Sequence, residues 1–219
     1  FSGENINITV SPNFDFSEVQ IKENNKSVDY KIENNEIVIS TKADTPRKYS
    51  YSINIDGAVT HCNILVLPCL YELAKNRCHF IAENQQYNNP KSKLDGAYLI
   101  YDNEEKHIYY NREYDFNGGR ERVGMGVLIA KYLQNHDDEV LLNSLKKYIK
   151  YVQKNLVCIE TGEVFNDCNY DNSFTRLYNY PWFSLFYIEL YKLLRDKNML
   201  EIAYKIMLFF YNQGGEHFY

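Results

Sequence analysis

Two stretches of the sequence concentrate the residue types that move protons and hold anions. Asp115-Phe116-Asn117-Gly118-Gly119-Arg120-Glu121-Arg122 sets two carboxylates beside two guanidinium groups, and Tyr170-Asp171 leads on to Arg176, Tyr178 and Tyr180. Carboxylates cleave bonds by proton transfer when one is protonated and another ionised. Arginine presents a planar fork that grips a carboxylate through two parallel hydrogen bonds. Arg120, Arg122 and Arg176 are therefore candidates for reading an acidic ligand, against the weightier alternative of a structural salt bridge to Glu121 or Asp115. Glu121 and Asp171 carry structural alternatives too: an acid in a first helical turn meets the positive end of the helix dipole, and Asp171-Asn172-Ser173 reads as a cap or turn. Tyr170, Tyr178, Tyr180 and Trp182 are candidates for a sugar platform; Tyr170 and Tyr180 fall in loop sequence, where a ring can stand open to a ligand, and are the better candidates, whereas Trp182 and Phe183 lead an apolar run and read as core.

Several other chemistries are excluded. Gly118, Gly119, Gly124 and Gly126 lack both the Gly-x-Gly-x-x-Gly order after a strand and a following Lys-Ser/Thr, so no phosphate loop is read, and Gly124 and Gly126 suit helix packing. His61, His79, His107, His136 and His217 are scattered, and Cys62, Cys69, Cys78, Cys158 and Cys168 form no Cys-x-x-Cys pair, so neither a metal site nor a cofactor is expected. The odd number of thiols fits a reducing or anaerobic setting. A net charge of -5 argues against nucleic acid as a partner. No window approaches the ~20 apolar residues of a membrane span. The 21 Tyr and 12 Phe against a single Trp either line a sugar-binding surface or reflect drift in an AT-rich genome, the second being the weightier reading.

The elements that must position these residues fall into two parts. From Asn5 to about Leu67 apolar residues alternate with polar ones, as in Tyr49, Tyr51, Ile53 and Ile55, and Asn34-Asn35 and Asp56-Gly57 supply hairpin turns. Six or so strands at this spacing predict an antiparallel sandwich over residues 1–67, read as immunoglobulin-like. Pro68 marks a change of period. A helix is expected from Cys69 to Tyr87, then a β-hairpin near 97–110, then helical hairpins to the end of the helical-hairpin domain, 68–219. Setting residue i beside i+61 pairs Val127 with Ile188, Leu133 with Leu194 and Leu145 with Ile206 without a gap. That register makes Tyr114–Gly119 and Thr175–Tyr180 equivalent segments, each feeding the first helix of a hairpin. The apolar final helix and the trailing stretch Asn212–Tyr219 predict further hairpins of the same polypeptide, or a second copy, packed on the last helix. Phe1-Ser2-Gly3 is not an initiator sequence and reads as a mature or excised chain.

A sandwich followed by hairpins of about 60 residues resembles the (α/α) toroid enzymes of carbohydrate metabolism, the six-hairpin glycoside hydrolases and related polysaccharide lyases. The residues carrying the resemblance are Phe116-Asn117-Gly118-Gly119-Arg120-Glu121-Arg122-Val123-Gly124-Met125-Gly126 and Arg176-Leu177-Tyr178-Asn179-Tyr180-Pro181-Trp182. The sequence departs from the family in supplying fewer than three of the roughly six hairpins that close a toroid. The resemblance implies an α+β multidomain fold with a partial toroid, a carbohydrate substrate, an extracytoplasmic setting and a cleft lined by loops before the inner helices. On that basis Glu121 and Asp171 are the expected acid and base of a glycosidase that is inactive as this fragment alone. Asp115, Arg120, Arg176, Tyr170 and Tyr180 are the expected substrate contacts, and a uronate-containing glycan is the substrate. Two alternatives stay open: a lyase, in which Tyr or His takes the proton α to a uronate carboxylate while Arg neutralises the acid, and a non-catalytic glycan- or protein-binding scaffold.

Overall fold

The computed structural model describes residues 1–110, 112–173 and 176–217. It divides into two compact units, Phe1–Leu73 and Ala74–Tyr219.

The first unit is built of seven antiparallel strands: β1 (Asn5–Val10), β2 (Val19–Glu23), β3 (Lys26–Ser27), β4 (Lys31–Glu33), β5 (Glu36–Lys42), β6 (Arg47–Ile55) and β7 (Ala58–Val66). They form two sheets, ordered β1-β5-β4 and β3-β2-β6-β7. The turns follow from residue chemistry. Asn34 and Asn35 (φ 51° and 63°) and Asp56-Gly57 (47° and 88°) turn two hairpins in the left-handed region that Asn, Asp and Gly tolerate. Asn24-Asn25, with the same geometry, turns a third hairpin that the alternation of residues does not announce. Period-two alternation then sends Ile6, Ile37 and Ile39 from one sheet, and Ile21, Tyr49, Tyr51, Ile53 and Ile55 from the other, into one buried cluster.

The second unit carries the chemistry-bearing residues. Helix α1 (Leu70–Phe80) widens into a looser turn over Ile81–Gln85, and the hairpin near 97–110 contracts to the two-residue strands β8 (Tyr101–Asp102) and β9 (His107–Ile108). Four helices follow: α2 (Val123–Leu133), α3 (Glu139–Asn155), α4 (Tyr180–Leu194) and α5 (Lys197–Asn212). A single tight turn precedes α2 at Arg120–Arg122 and another precedes α4 at Leu177–Asn179. Asp138 caps α3 through Leu141 N (3.0 Å), and Asp196 caps α5 through Asn198 N (3.0 Å).

These helices repeat, but not in the register that the sequence pairing suggests. The buried positions of α2 (Val123, Gly126, Val127, Ile129, Ala130, Tyr132, Leu133) recur in α4 at a spacing of 57 residues (Tyr180, Phe183, Ser184, Phe186, Tyr187, Glu189, Leu190). The preceding tight turns keep the same spacing. The two caps, Asp138 and Asp196, are 58 apart. A spacing of 61 lies about one helical turn away, which is why it too pairs apolar residues. In the observed register Arg176 stands opposite Gly119, and Pro181 opposite Gly124.

Helix α2 packs against α4 and α3, and α4 against α5. Helices α2 and α4 are buried around much of their circumference, whereas α3 buries the stripe Leu141, Ser144, Leu145, Tyr148, Tyr151, Val152. On α5 the outward residues Leu200, Tyr204, Leu208 and Tyr211 form an exposed apolar line opposite the buried one. Among the described residues, no helix is long and apolar enough to cross a membrane.

Candidate functional site

The loop before α2 is shaped by its glycines and by Asn117. Gly118 sits at φ 73°, and a Cβ on Gly119 would fall 2.5 Å from Asp115 Cα and from the Tyr114 carbonyl oxygen, so nothing larger fits. Asn117 is fully buried; its Oδ1 accepts from Ile100 N (2.9 Å) and its Nδ2 donates to Tyr109 O (2.7 Å) and Arg112 O (2.9 Å). This loop turns Asp115 back on Arg120, whose side chain is 1% exposed. Arg120 donates Nε to Asp115 Oδ1 (3.0 Å) and Nη2 to Oδ2 (3.1 Å), a two-point grip. From the segment before α4, Arg176 Nη1 donates to the same Asp115 Oδ2 (2.9 Å) and to Glu121 Oε1. Asp115, Arg120, Glu121 and Arg176 are thus one network, and the salt-bridge alternative raised by the sequence describes their contacts.

The network borders an open cleft of about 280 Å³ lined by Glu121, Gly124, Tyr178, Asn179 and Trp182. The Arg176 guanidinium lies 5.1 Å from the centre of the Tyr178 ring. Trp182, expected in the core, is 52% exposed: the period of α4 turns Phe183, Phe186, Tyr187 and Leu190 inward, and Trp182 falls on the other side of the first turn. Gly124, expected to be a packing glycine, has open space where a Cβ would stand, while Gly126 packs as expected, with Tyr148 and Phe186 within 3 Å of that position. Tyr178 and Trp182 line the cleft, two rings that the sequence offers as sugar-platform candidates but ranks below Tyr170 and Tyr180; the 57-residue spacing puts Tyr178 opposite Glu121.

The remaining expected site residues are placed differently. Asp171 accepts Ser173 N at Oδ1 (2.9 Å) and Asn166 Nδ2 at Oδ2 (3.0 Å), and the Ser173 backbone N–H and hydroxyl, with Asn166, hold its carboxyl below the usual carboxylate range. It meets the network through Asn166, whose carbonyl accepts from Arg120 N (3.1 Å) and whose N–H donates to Asp171 O (2.9 Å). Asp171 is a turn-former here, and Glu121 faces Arg176 rather than Asp171. Tyr170, at φ 59° and exposed, gives its hydroxyl to Lys154 O (2.9 Å) and lies away from the Glu121 cleft lining. Tyr180 is not in a loop: it opens α4, is 1% exposed, accepts Val164 N at its hydroxyl (3.2 Å) and stacks on Phe209 (5.6 Å). An apolar ring directly before Pro181 reads equally well as loop or first turn, and burial decides. Among the described residues, no group of three or more His, Cys, Asp or Glu side chains could hold a metal ion.

No protein-family model matches the sequence. No curated protein matches it either. Among solved structures, the polysaccharide lyase BACCELL_00875 superposes on 97% of this chain with a TM-score of 0.88 at 28% identity. The chain spans 32% of that protein's length. A family 76 glycoside hydrolase from a bovine Bacteroides thetaiotaomicron strain aligns over 94% of this chain and 47% of its own, at a TM-score of 0.43 and 14% identity, too distant to bear on the fold or the site. The chain therefore shares its mixed α and β fold with a part of a carbohydrate-active enzyme.

Proposed function

We propose that this chain belongs to a glycan-cleaving enzyme that acts by β-elimination on a uronate-containing polysaccharide. The observation that carries the reading is the pairing of Arg176 with Tyr178 beside the exposed Trp182, in a cleft whose acid, Glu121, is already ion-paired. Elimination needs a base for the proton on the carbon α to the uronate carboxylate and a cation to neutralise that carboxylate as charge develops on it. Arg176 supplies the cation: a substrate carboxylate takes the place of Glu121, the more exposed of its two acidic partners. Tyr178, whose ring the guanidinium approaches, is the proposed base that takes the α-proton. The electron pair of the C–H bond becomes the new carbon–carbon double bond, the bond to the glycosidic oxygen breaks, and the phenol returns the proton to the departing oxygen. Trp182 offers an apolar face to the sugar ring.

Hydrolysis by Glu121 and Asp171 is less well supported. That chemistry requires one carboxyl to be held protonated, whereas Glu121 is paired with Arg176 and Asp171 is held ionised by its turn. In architecture we propose that the two N-terminal sheets form an immunoglobulin-like sandwich acting as a spacer, and that α2 to α5 are the opening hairpins of an (α/α) toroid. The largely buried α2 and α4 would be its inner helices, and the outward apolar line on α5 the seat of further helices.

Tyr178→Phe keeps the ring and removes the acid–base group. It is expected to abolish formation of unsaturated product from uronate-containing polysaccharides while leaving the melting temperature unchanged; undiminished product from Tyr178→Phe contradicts the assignment.

A further inference from the structure

A second concave surface, with a separate lining, lies along α3. It encloses about 400 Å³ and draws Lys93 from the loop before β8 together with Lys147, Lys150 and Lys154 from α3. The three helical lysines stand at i, i+3 and i+7, hence on one face, with about 10 Å of helix axis between the first and last. Lys147 Nζ donates to Asn88 Oδ1 (2.7 Å) and Lys93 Nζ to Asn169 Oδ1 (2.7 Å). These amide oxygens fix the two ammonium groups without cancelling their charge. Among the described residues no carboxylate pairs with any of the four, and the one acid lining the cleft, Asp95, accepts the backbone N–H of Asn89 (2.8 Å). Asn155, 5% exposed, also lines the cleft and commits its Nδ2 to Tyr151 O (3.1 Å), which leaves its carboxamide oxygen as an acceptor for a hydroxyl. Tyr170, bonded to Lys154 O, stands exposed beside this lysine.

Four cations against one carboxylate at one concavity of a chain whose net charge is -5 form a local field opposite in sign to the whole. We infer that this cleft is a binding site for a linear glycan bearing repeated anionic groups, carboxylate or sulfate, separate from the Glu121–Arg176 cleft. A row of cations along a helix matches anions repeating along a chain, where a single phosphate or carboxylate would need a convergent cage. The buried acceptor Asn155 and the single exposed ring of Tyr170 suit hydroxyls and a sugar face. A single-stranded nucleic acid would need several open rings for successive bases, and the ring of Tyr151 in the cleft wall is buried with its hydroxyl committed to Gly118 O. The saccharide nature of the ligand rests on the glycan-cleaving function proposed above; its anionic nature rests on the lysines alone.

Affinity electrophoresis tests the inference, with polygalacturonate, dextran sulfate, neutral dextran and single-stranded DNA cast separately into native gels. The protein is expected to be retarded by polygalacturonate, dextran sulfate or both, and not by neutral dextran. Which of the two acts identifies carboxylate or sulfate. The variant Lys150→Glu/Lys154→Glu is expected to bind at least about tenfold more weakly, because two attractions become repulsions. Lys150→Gln/Lys154→Gln, which cannot introduce repulsion or misfolding by charge reversal, should lose part of the retardation. Retardation unchanged in both variants overturns the inference, as does stronger retention by DNA than by either acidic glycan. Parallel assays of product formation by the enzyme to which this chain belongs, with and without the lysine substitutions, keep the two proposals apart. Lysine-dependent binding without cleavage removes the proposed function and leaves this site, whereas cleavage with a KM indifferent to the lysines does the reverse.

Discussion

At the scale of single residues, the site depends on a few positions that allow no other side chain. Gly119 is the sharpest: its missing Cβ lets Asp115 return to Arg120 within five residues. Gly119→Ala would drive a methyl group into the backbone at Asp115 and Tyr114, and overpacking of that kind costs about 1–3 kcal/mol or more. Chemical denaturation should register the loss, and a variant as stable as the parent would show that the loop relaxes freely. Part of this was legible beforehand. Asp115, Arg120, Glu121 and Arg176 stand out by type and spacing, and the weightier reading, that the arginines meet their own acids, describes the contacts of Arg120 and Arg176, whereas among the described residues Arg122 forms no ion pair. The exposure of Trp182 and the burial of Tyr180 were not legible, since two aromatic rings flanking Pro181 are distinguished only by which side of the first helical turn each occupies.

At the scale of elements, register is what sequence pairing missed. Apolar residues recur every three or four positions in every helix, so pairings offset by one turn are nearly degenerate, and only burial separates 57 from 61. The β-hairpins escaped this ambiguity because Asn34-Asn35 and Asp56-Gly57 fix their registers locally. The caps of α3 and α5 are local signals too. Asp138 accepts Leu141 N and is approached by His79 Nε2 (2.9 Å). Burial opposes ionisation of its carboxyl, but the Leu141 N–H and His79 outweigh it and hold the group below the usual carboxylate range. A folded-state value below the unfolded one gives stability that is present above the unfolded value near pH 4 and is lost as pH falls through the lower, folded value. Asp138→Ala should cost about 1 kcal/mol at pH 7 by removing the cap. Urea midpoints measured at pH 7 and pH 3 should show the gap between parent and variant narrowing at the lower pH; a constant gap would mean that ionisation of Asp138 plays no part.

At the scale of the whole molecule, the acidic balance concealed a local inversion of charge. The net charge of -5 argues against nucleic acid as a partner and announces no basic surface, yet Lys93 joins a lysine face of α3 that lies more than fifty positions away in sequence. The face itself follows from helical spacing; the partner from the loop does not. The same scale holds the proposal that the enzyme to which this fold belongs cleaves glycans by elimination; the fold spans about a third of a polysaccharide lyase to which it is 28% identical. The direct measurement is to incubate the enzyme to which this chain belongs with a panel of uronate-containing polysaccharides and follow, in the same samples, ultraviolet absorbance of a new carbon–carbon double bond and the release of reducing ends. The account predicts that both rise together, one double bond for each bond cleaved. Reducing ends without unsaturation would mean hydrolysis and contradict it, and no cleavage of any member of the panel would remove the catalytic reading of the Glu121–Arg176–Tyr178 cleft.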